Sequence, residues 1–231
     1  MQKKLLILGK RGGILQWFEN ILATSHRHPN YVIQGFALNH NNTCERFLKK
    51  ILPNKDIYTA NLLKKKLQTF QPDLILIADL FYFNDYLLEV LADFPCKKAH
   101  WIGDFFDSRL KKTKEIIDLY CFTDFSFIKD AKDIGLDHSI YLPLAYNPEI
   151  FFPKDEQKND RLLFVGAWSP DRQELIERIP LPITIYGKGW NNLVKNDSII
   201  HPHNISLPNV AELYRKHKYV LNLINKIGRA H

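Results

Sequence analysis

Two glycine-ended apolar runs carry the residues best suited to chemistry. Residues 161–172, RLLFVGAWSPDR, run through five largely apolar positions to Gly166 and then through a polar loop to Arg172. Residues 183–190, ITIYGKGW, end on Tyr186, Gly187, Lys188, Gly189 and Trp190. A strand that ends in glycine and feeds a helix is a common way to build an anion site. Glycine lets a ligand approach the backbone, and the helix start offers unpaired N–H groups and a positive dipole end. Arg172 at such a start has a planar fork that can hold phosphate through two hydrogen bonds. Its bland alternative is an ion pair with Glu174 or Glu177 on the helix surface. Lys188 either adds charge to the same pocket or is a solvated turn lysine. Trp190 either stacks on a base or sugar or belongs to a core. Asn222, read as lying within an apolar strand, either satisfies a neighbouring loop or faces a cleft. The combination suits a sugar nucleotide, whose diphosphate needs positive charge and whose base needs a flat apolar surface.

These segments require a scaffold that presents strand ends, and the rest of the chain supplies one. KKLLILG, YVIQGFAL, QPDLILIAD, KKAHWIGD, DLYCFTD and SIYLPLAY read as strands. Helical stretches lie between them: ILQWFENILATS, a basic amphipathic segment from Glu45 to Ile51, 61–70, 85–92 and 125–134. Alternating strands and helices predict a parallel α/β sheet covered on both faces. NPEIFFPKDEQKND then interrupts the pattern, rich in proline, charge and amide, and reads as a linker over 148–160. The pattern restarts with RLLFVG, a helix, LPITIYG, a loop, the NVAELYRKHK helix and the strand YVLNLI. The predicted fold class is therefore α/β with two Rossmann-like units. An N-terminal unit spans 1–147, and a second spans 161–226 with about three strands, fewer than a doubly wound sheet normally has. The final IGRAH, residues 227–231, is what a common sequencing-library adapter encodes in one frame, so it is expected to be artefactual.

Composition narrows the partners without choosing one. The chain has 231 residues and a formal net charge of +7, which favours anionic partners. Lysine clusters such as 64–66 and 111–112 are explained as well by solvated helix faces. No apolar run approaches the roughly 18 residues of a membrane span. Three widely spaced cysteines, Cys44, Cys96 and Cys121, show neither metal-ligand spacing nor a disulfide framework, as expected in a reducing cytoplasm. His201 and His203, in IIHPHN, lack a third ligand and read as loop residues. GKRGG is not a dinucleotide fingerprint, and no Walker A sequence occurs.

FVGAWSPDRQELI, ITIYGKGW and LYRKHKYVLNLI in the second unit resemble the group-1-like GT-B glycosyltransferases grouped with CgeB-type spore-maturation proteins. AHWIGDFFDSR and YLPLAYNPEIFFP extend the resemblance into the first unit, over most of 95–226. It implies transfer of a sugar from a nucleotide-sugar donor to a cell-surface glycan, lipid or protein acceptor. The expected setting is the cytoplasm or the inner membrane face, with peripheral contact to anionic membrane and no nucleic-acid partner. It assigns donor binding to Gly166, Arg172, Tyr186, Gly187, Lys188, Trp190 and Asn222. Gly12 and Gly13, directly after the first strand, become an acceptor or phosphate loop, with a plain tight turn as the alternative. Because the chain has no Asp-x-Asp sequence, no metal and no further cofactor are expected. A general base would act from the first unit, with Asp104 and Asp107 first and His100 and Asp79 as rivals; capping the following helix is the alternative for each carboxylate. The family's acidic pair before proline is replaced here by Asp104-Phe105-Phe106-Asp107. Its ribose-holding acidic residue would lie beyond residue 226, so this chain alone is expected not to turn over.

Overall fold

A computed structural model describes residues 2–12, 17–78, 84–103, 106–191 and 197–223. The chain divides between Ala145 and Tyr146 into two compact units. In the first, strands β1 (Lys3–Gly9), β2 (Tyr31–Ala37), β3 (Leu74–Ala78), β4 (Lys97–Ile102), β5 (Leu119–Phe122) and β6 (Ser139–Tyr141) form one sheet in the order β2-β1-β3-β4-β5-β6. Every pairing is parallel. Helices α1 (Trp17–Ala23), α2 (Thr43–Ile51), α3 (Lys55–Phe70), α4 (Asp85–Ala92) and α5 (Ser126–Asp133) provide the crossovers. The order reverses between β1 and β3, which makes their carboxyl ends the unit's switch point.

Burial on both faces explains the apolar strands. Leu6, Leu8, Ile75, Ile77 and Phe122 join Leu63, Leu67 and Leu91 from α3 and α4 in one core, while Ile7 and Ala37 pack with Phe18 of α1 on the other face. Helix starts are set by side-chain caps: Asn42, Asn54 and Asn84 each accept a backbone N–H three residues on. The cap at Asn54 starts α3 six residues before the apolar spacing reveals it. α2 departs from its amphipathic reading in orientation. Glu45 is buried, whereas Phe47 and Ile51 are 65% and 64% exposed.

The second unit holds β7 (Asn159–Val165), β8 (Ile183–Tyr186), β9 (Ser198–His201) and β10 (His217–Leu221), with α6 (Pro170–Glu177) and α7 (Leu207–Lys216). Its sheet runs β10-β7-β8-β9, again all parallel. The first strand is central and the fourth lies beside it, so the switch point falls between β7 and β10. β9 was not expected. Its polar flanks hide a short edge strand in which Ile200 packs on the core while Ile199 is exposed. His201 therefore closes a strand instead of sitting in a loop. Residues 148–158 carry no strand and no helix, yet they are tied down. Phe151 meets Tyr214 at 6.1 Å, and the Arg215 guanidinium lies 4.9 Å above Phe152 and donates to Ile150 O. Among the described residues, no helix is long and apolar enough to cross a membrane.

Candidate functional site

The two glycine loops lie side by side at the carboxyl ends of β7 and β8 and continue the parallel ladder past the strands. Gly166 N donates to Tyr186 O at 2.9 Å, Trp168 N to Lys188 O at 2.9 Å, and Gly187 N to His201 O at 3.1 Å. Gly187 has φ +155°, and a Cβ there would lie 1.9 Å from Gly166 O. Only glycine permits this approach of the two loops.

Of the two readings of Trp190 the core one holds, which takes its ring out of the donor-binding set. It is 1% exposed, its Nε1 donates to Gly166 O at 2.8 Å, and it meets Phe164 edge-on at 5.7 Å. The indole buries its ring and satisfies its N–H on the loop it supports. The exposed aromatic is Trp168, 42% accessible, with Nε1 donating to Gln173 Oε1 at 2.6 Å. Sequence reasoning passed over it. The available signal was an aromatic residue between a strand-ending glycine and a Ser-Pro helix start. Lys188 is exposed on the facing loop, where its backbone O accepts from Trp168 N, and Tyr186 stacks on His201 at 4.1 Å.

Arg172 sits in the first turn of α6, at the β7/β10 switch point. One terminal nitrogen donates to Ala167 O at 2.8 Å and the other to Leu223 O at 3.0 Å, while the guanidinium carbon lies 5.6 Å from the Phe164 ring centre. Burial draws its pKa below the usual arginine value, and Nε is buried without a hydrogen-bond partner. It does not pair with Glu174 or Glu177; Glu174 holds Arg178 and Glu177 accepts from Gln173. Arg172 thus clasps the segments after β7 and β10, and each terminal nitrogen retains a second N–H. The helix start itself is self-capped. Ser169 Oγ accepts from Arg172 N at 3.4 Å, and Pro170 contributes no N–H. An anion there would rely on side chains more than on the helix N–H groups. Asn222 lies just past the end of β10 and is exposed, so its amide carries no burial penalty within a strand.

In the first unit, the backbone just after β1 is held by side chains from α1 and from the segment after β2. Gly12, at φ +70°, donates its N–H to Glu19 Oε1 at 2.8 Å, and Asn39 exchanges two hydrogen bonds with Arg11. A phosphate at Gly12 would have to displace a carboxylate, which favours the tight-turn reading. Asp107 is a cap and an ion-pair partner. Its carboxylate accepts from Arg109 N at 2.9 Å and from Arg109 Nε at 3.0 and 2.8 Å, with a further contact to Nη2. These Arg109 hydrogen bonds hold its pKa below the usual carboxylate range, which makes Asp107 a weak general base. His100 is fully buried near Tyr120, because alternation along β4 turns it into the core with Lys98 and Ile102. Asp104, Asp79 and Gly13 lie outside the described residues. Among the described residues no three His, Cys, Asp or Glu side chains converge as metal ligands.

No protein-family model matches the sequence, and no curated protein matches it. Solved structures match it by fold. UDP-GlcNAc 2-epimerase from Neisseria meningitidis, bound to UDP-GlcNAc, aligns with 95% of this chain and 76% of its own, at TM-score 0.59 and 12% identity. A trehalose-6-phosphate synthase aligns with 94% of this chain and 76% of its own, at 0.52 and 12%. MurG from Acinetobacter baumannii aligns with 94% and 72%, at 0.51 and 8%. At these identities the likeness is one of fold: the chain has a GT-B-like fold of two Rossmann-like units.

Proposed function

We propose that the protein is a nucleotide-sugar-dependent glycosyltransferase of GT-B type, related to the CgeB-type group. It moves a sugar to a cell-surface glycan, lipid or protein acceptor, without a metal, from the cytoplasmic side of the membrane. The observation that carries this reading is the β7/β10 switch point. Arg172 lies there, and next to it the glycine-ended loops after β7 and β8 present exposed Trp168 and exposed Lys188 at the strand ends where open α/β sheets bind ligands. The aligned epimerase holds UDP-GlcNAc, and a diphosphate linked to a flat base calls for a cation and an exposed aromatic on adjoining loops, which Lys188 and Trp168 supply. Trp168 would take the base or sugar, Lys188 the diphosphate, and Arg172 would keep the two segments in register.

Calorimetric titration with UDP, GDP and their sugars tests the reading. One nucleotide class should bind, and Lys188→Ala and Trp168→Ala should each weaken it by about tenfold, the loss expected from one charge-assisted bond or one stacked base. Absence of binding across the panel at millimolar concentration sinks the proposal. A second reading, recognition without turnover, is favoured by the Arg109-bound state of Asp107. It gains if nucleotide binds and sugar is transferred from no donor in the panel.

A further inference from the structure

α2 is built inside out, and this gives it a face that no described residue covers. Its ion pair faces inward: Lys49 Nζ lies 2.9 Å from Glu45 Oε1, with both side chains largely buried. Glu45 Oε2 accepts from Asn41 N at 2.8 Å, and Lys49 also donates to Leu38 O at 3.1 Å. These bonds to the segment after β2 lock the helix in rotation. At about 100° per residue, Phe47 and Ile51 then stack on the outward face one turn apart, with Cys44 beside them. Arg46 and Lys50 each precede one of these apolar residues and form an exposed basic row along the same face.

We propose that this face of α2 binds the surface of an anionic lipid bilayer. Phe47 and Ile51 enter the boundary between headgroups and acyl chains while Arg46 and Lys50 meet lipid phosphates, the arrangement of an interfacial helix. Charge complementarity selects this occupant. The chain carries +7 overall, and two copies packed antiparallel on this face would set Arg46 and Lys50 against like charges. Nine residues give a small apolar footprint, so binding is reversible and depends on the lipid charge. The inference does not rest on the nucleotide-sugar reading, and lipid binding and nucleotide binding can fail separately.

Co-sedimentation of the full chain with phosphatidylglycerol–phosphatidylcholine vesicles and with pure phosphatidylcholine vesicles is the test. Binding should require the anionic lipid, and Arg46→Glu with Lys50→Glu should weaken it at least about tenfold, since each basic residue near such a surface is worth roughly fivefold. Phe47→Ser with Ile51→Ser should abolish it without changing the melting temperature. An environment-sensitive fluorophore on exposed Cys44, with Cys96 replaced by serine, should shift to the blue on binding. No binding by the parent chain, equal binding to neutral vesicles, or full binding by the charge-reversed variant overturns the proposal. So does a parent dimer that dissolves when Phe47 and Ile51 are replaced.

Discussion

Replacing Gly187 with alanine tests the joint that holds the two site loops together. The new Cβ would lie 1.9 Å from Gly166 O, where ordinary contacts need at least about 3 Å, so the loops must part by roughly 1 Å. That parting stretches two hydrogen bonds that hold the loops together. One is Gly166 N to Tyr186 O, now 2.9 Å, and the other is Trp190 Nε1 to Gly166 O, now 2.8 Å. Each contributes about 1 kcal/mol, and the +155° backbone adds about 1–2 kcal/mol of strain for any side chain. The expected loss is about 3 kcal/mol in urea unfolding, followed by tryptophan fluorescence with Trp17 and Trp101 changed to phenylalanine so that the second unit reports. Gly12→Ala, read with Trp17 and Trp101 retained because it lies in the first unit, provides the contrast. It shares a positive φ, but nothing lies within 4 Å of its Cβ, so strain alone should cost about 1 kcal/mol. If Gly187→Ala costs no more than Gly12→Ala, the close approach of the loops is not what requires glycine, and the account of the site is wrong.

Glu45→Ala should destabilise the first unit by about 3 kcal/mol, because it strands Lys49 in a buried position, while Glu45→Leu with Lys49→Leu should cost much less; a double-mutant cycle in urea reads the difference. Asp107→Asn keeps a capping side chain but removes the charge that pairs with Arg109, so it should cost up to about 1 kcal/mol at neutral pH. The carboxylate's pKa is lowered in the fold, so its contribution is complete above the ordinary carboxylate range and is lost as pH falls through the folded value; the two proteins should converge in acid unfolding curves. Tyr120 is the opposite case. Burial pushes its phenol up to about 12 despite the hydrogen bond with Thr113, so its contribution is intact below the unfolded value of 10.0 and declines as pH rises toward 12. Burial also raises the Tyr214 phenol, so absorbance at alkaline pH should show late ionisation from which the Tyr120 component disappears in Tyr120→Phe.

The repeating run of apolar strand, turn and helix is a local signal, and it was enough to specify two parallel α/β units and to put Gly166 and Gly187 at strand ends. A parallel strand buried on both faces reads as a continuous apolar run, and a strand-ending glycine stands out against it. α4 was legible to its ends because Asn84 caps it and its apolar residues share one face. The edge strand β9 was not, because one exposed face leaves only Ile200 as an inward signal.

What periodicity leaves open is which way a face turns and what meets it. The spacing of Cys44, Phe47 and Ile51 marks a stripe on α2, yet the stripe faces outward. Asn41 and the Leu38 carbonyl satisfy Glu45 and Lys49 from the inside, and those partners follow β2 only in the fold. Trp190 and Trp168 are both aromatic residues in glycine-bearing loops. One is core and one is surface because Phe164 and Gly166 O complete a pocket for the first and Gln173 holds the second at the edge. Asp107 is a carboxylate at a strand-following loop in sequence and an arginine's partner in space. Residue type and spacing therefore determined the scaffold and the location of the loops. Tertiary structure alone decided which side chains remain available there, because availability depends on desolvation and hydrogen-bond partners brought from distant parts of the chain.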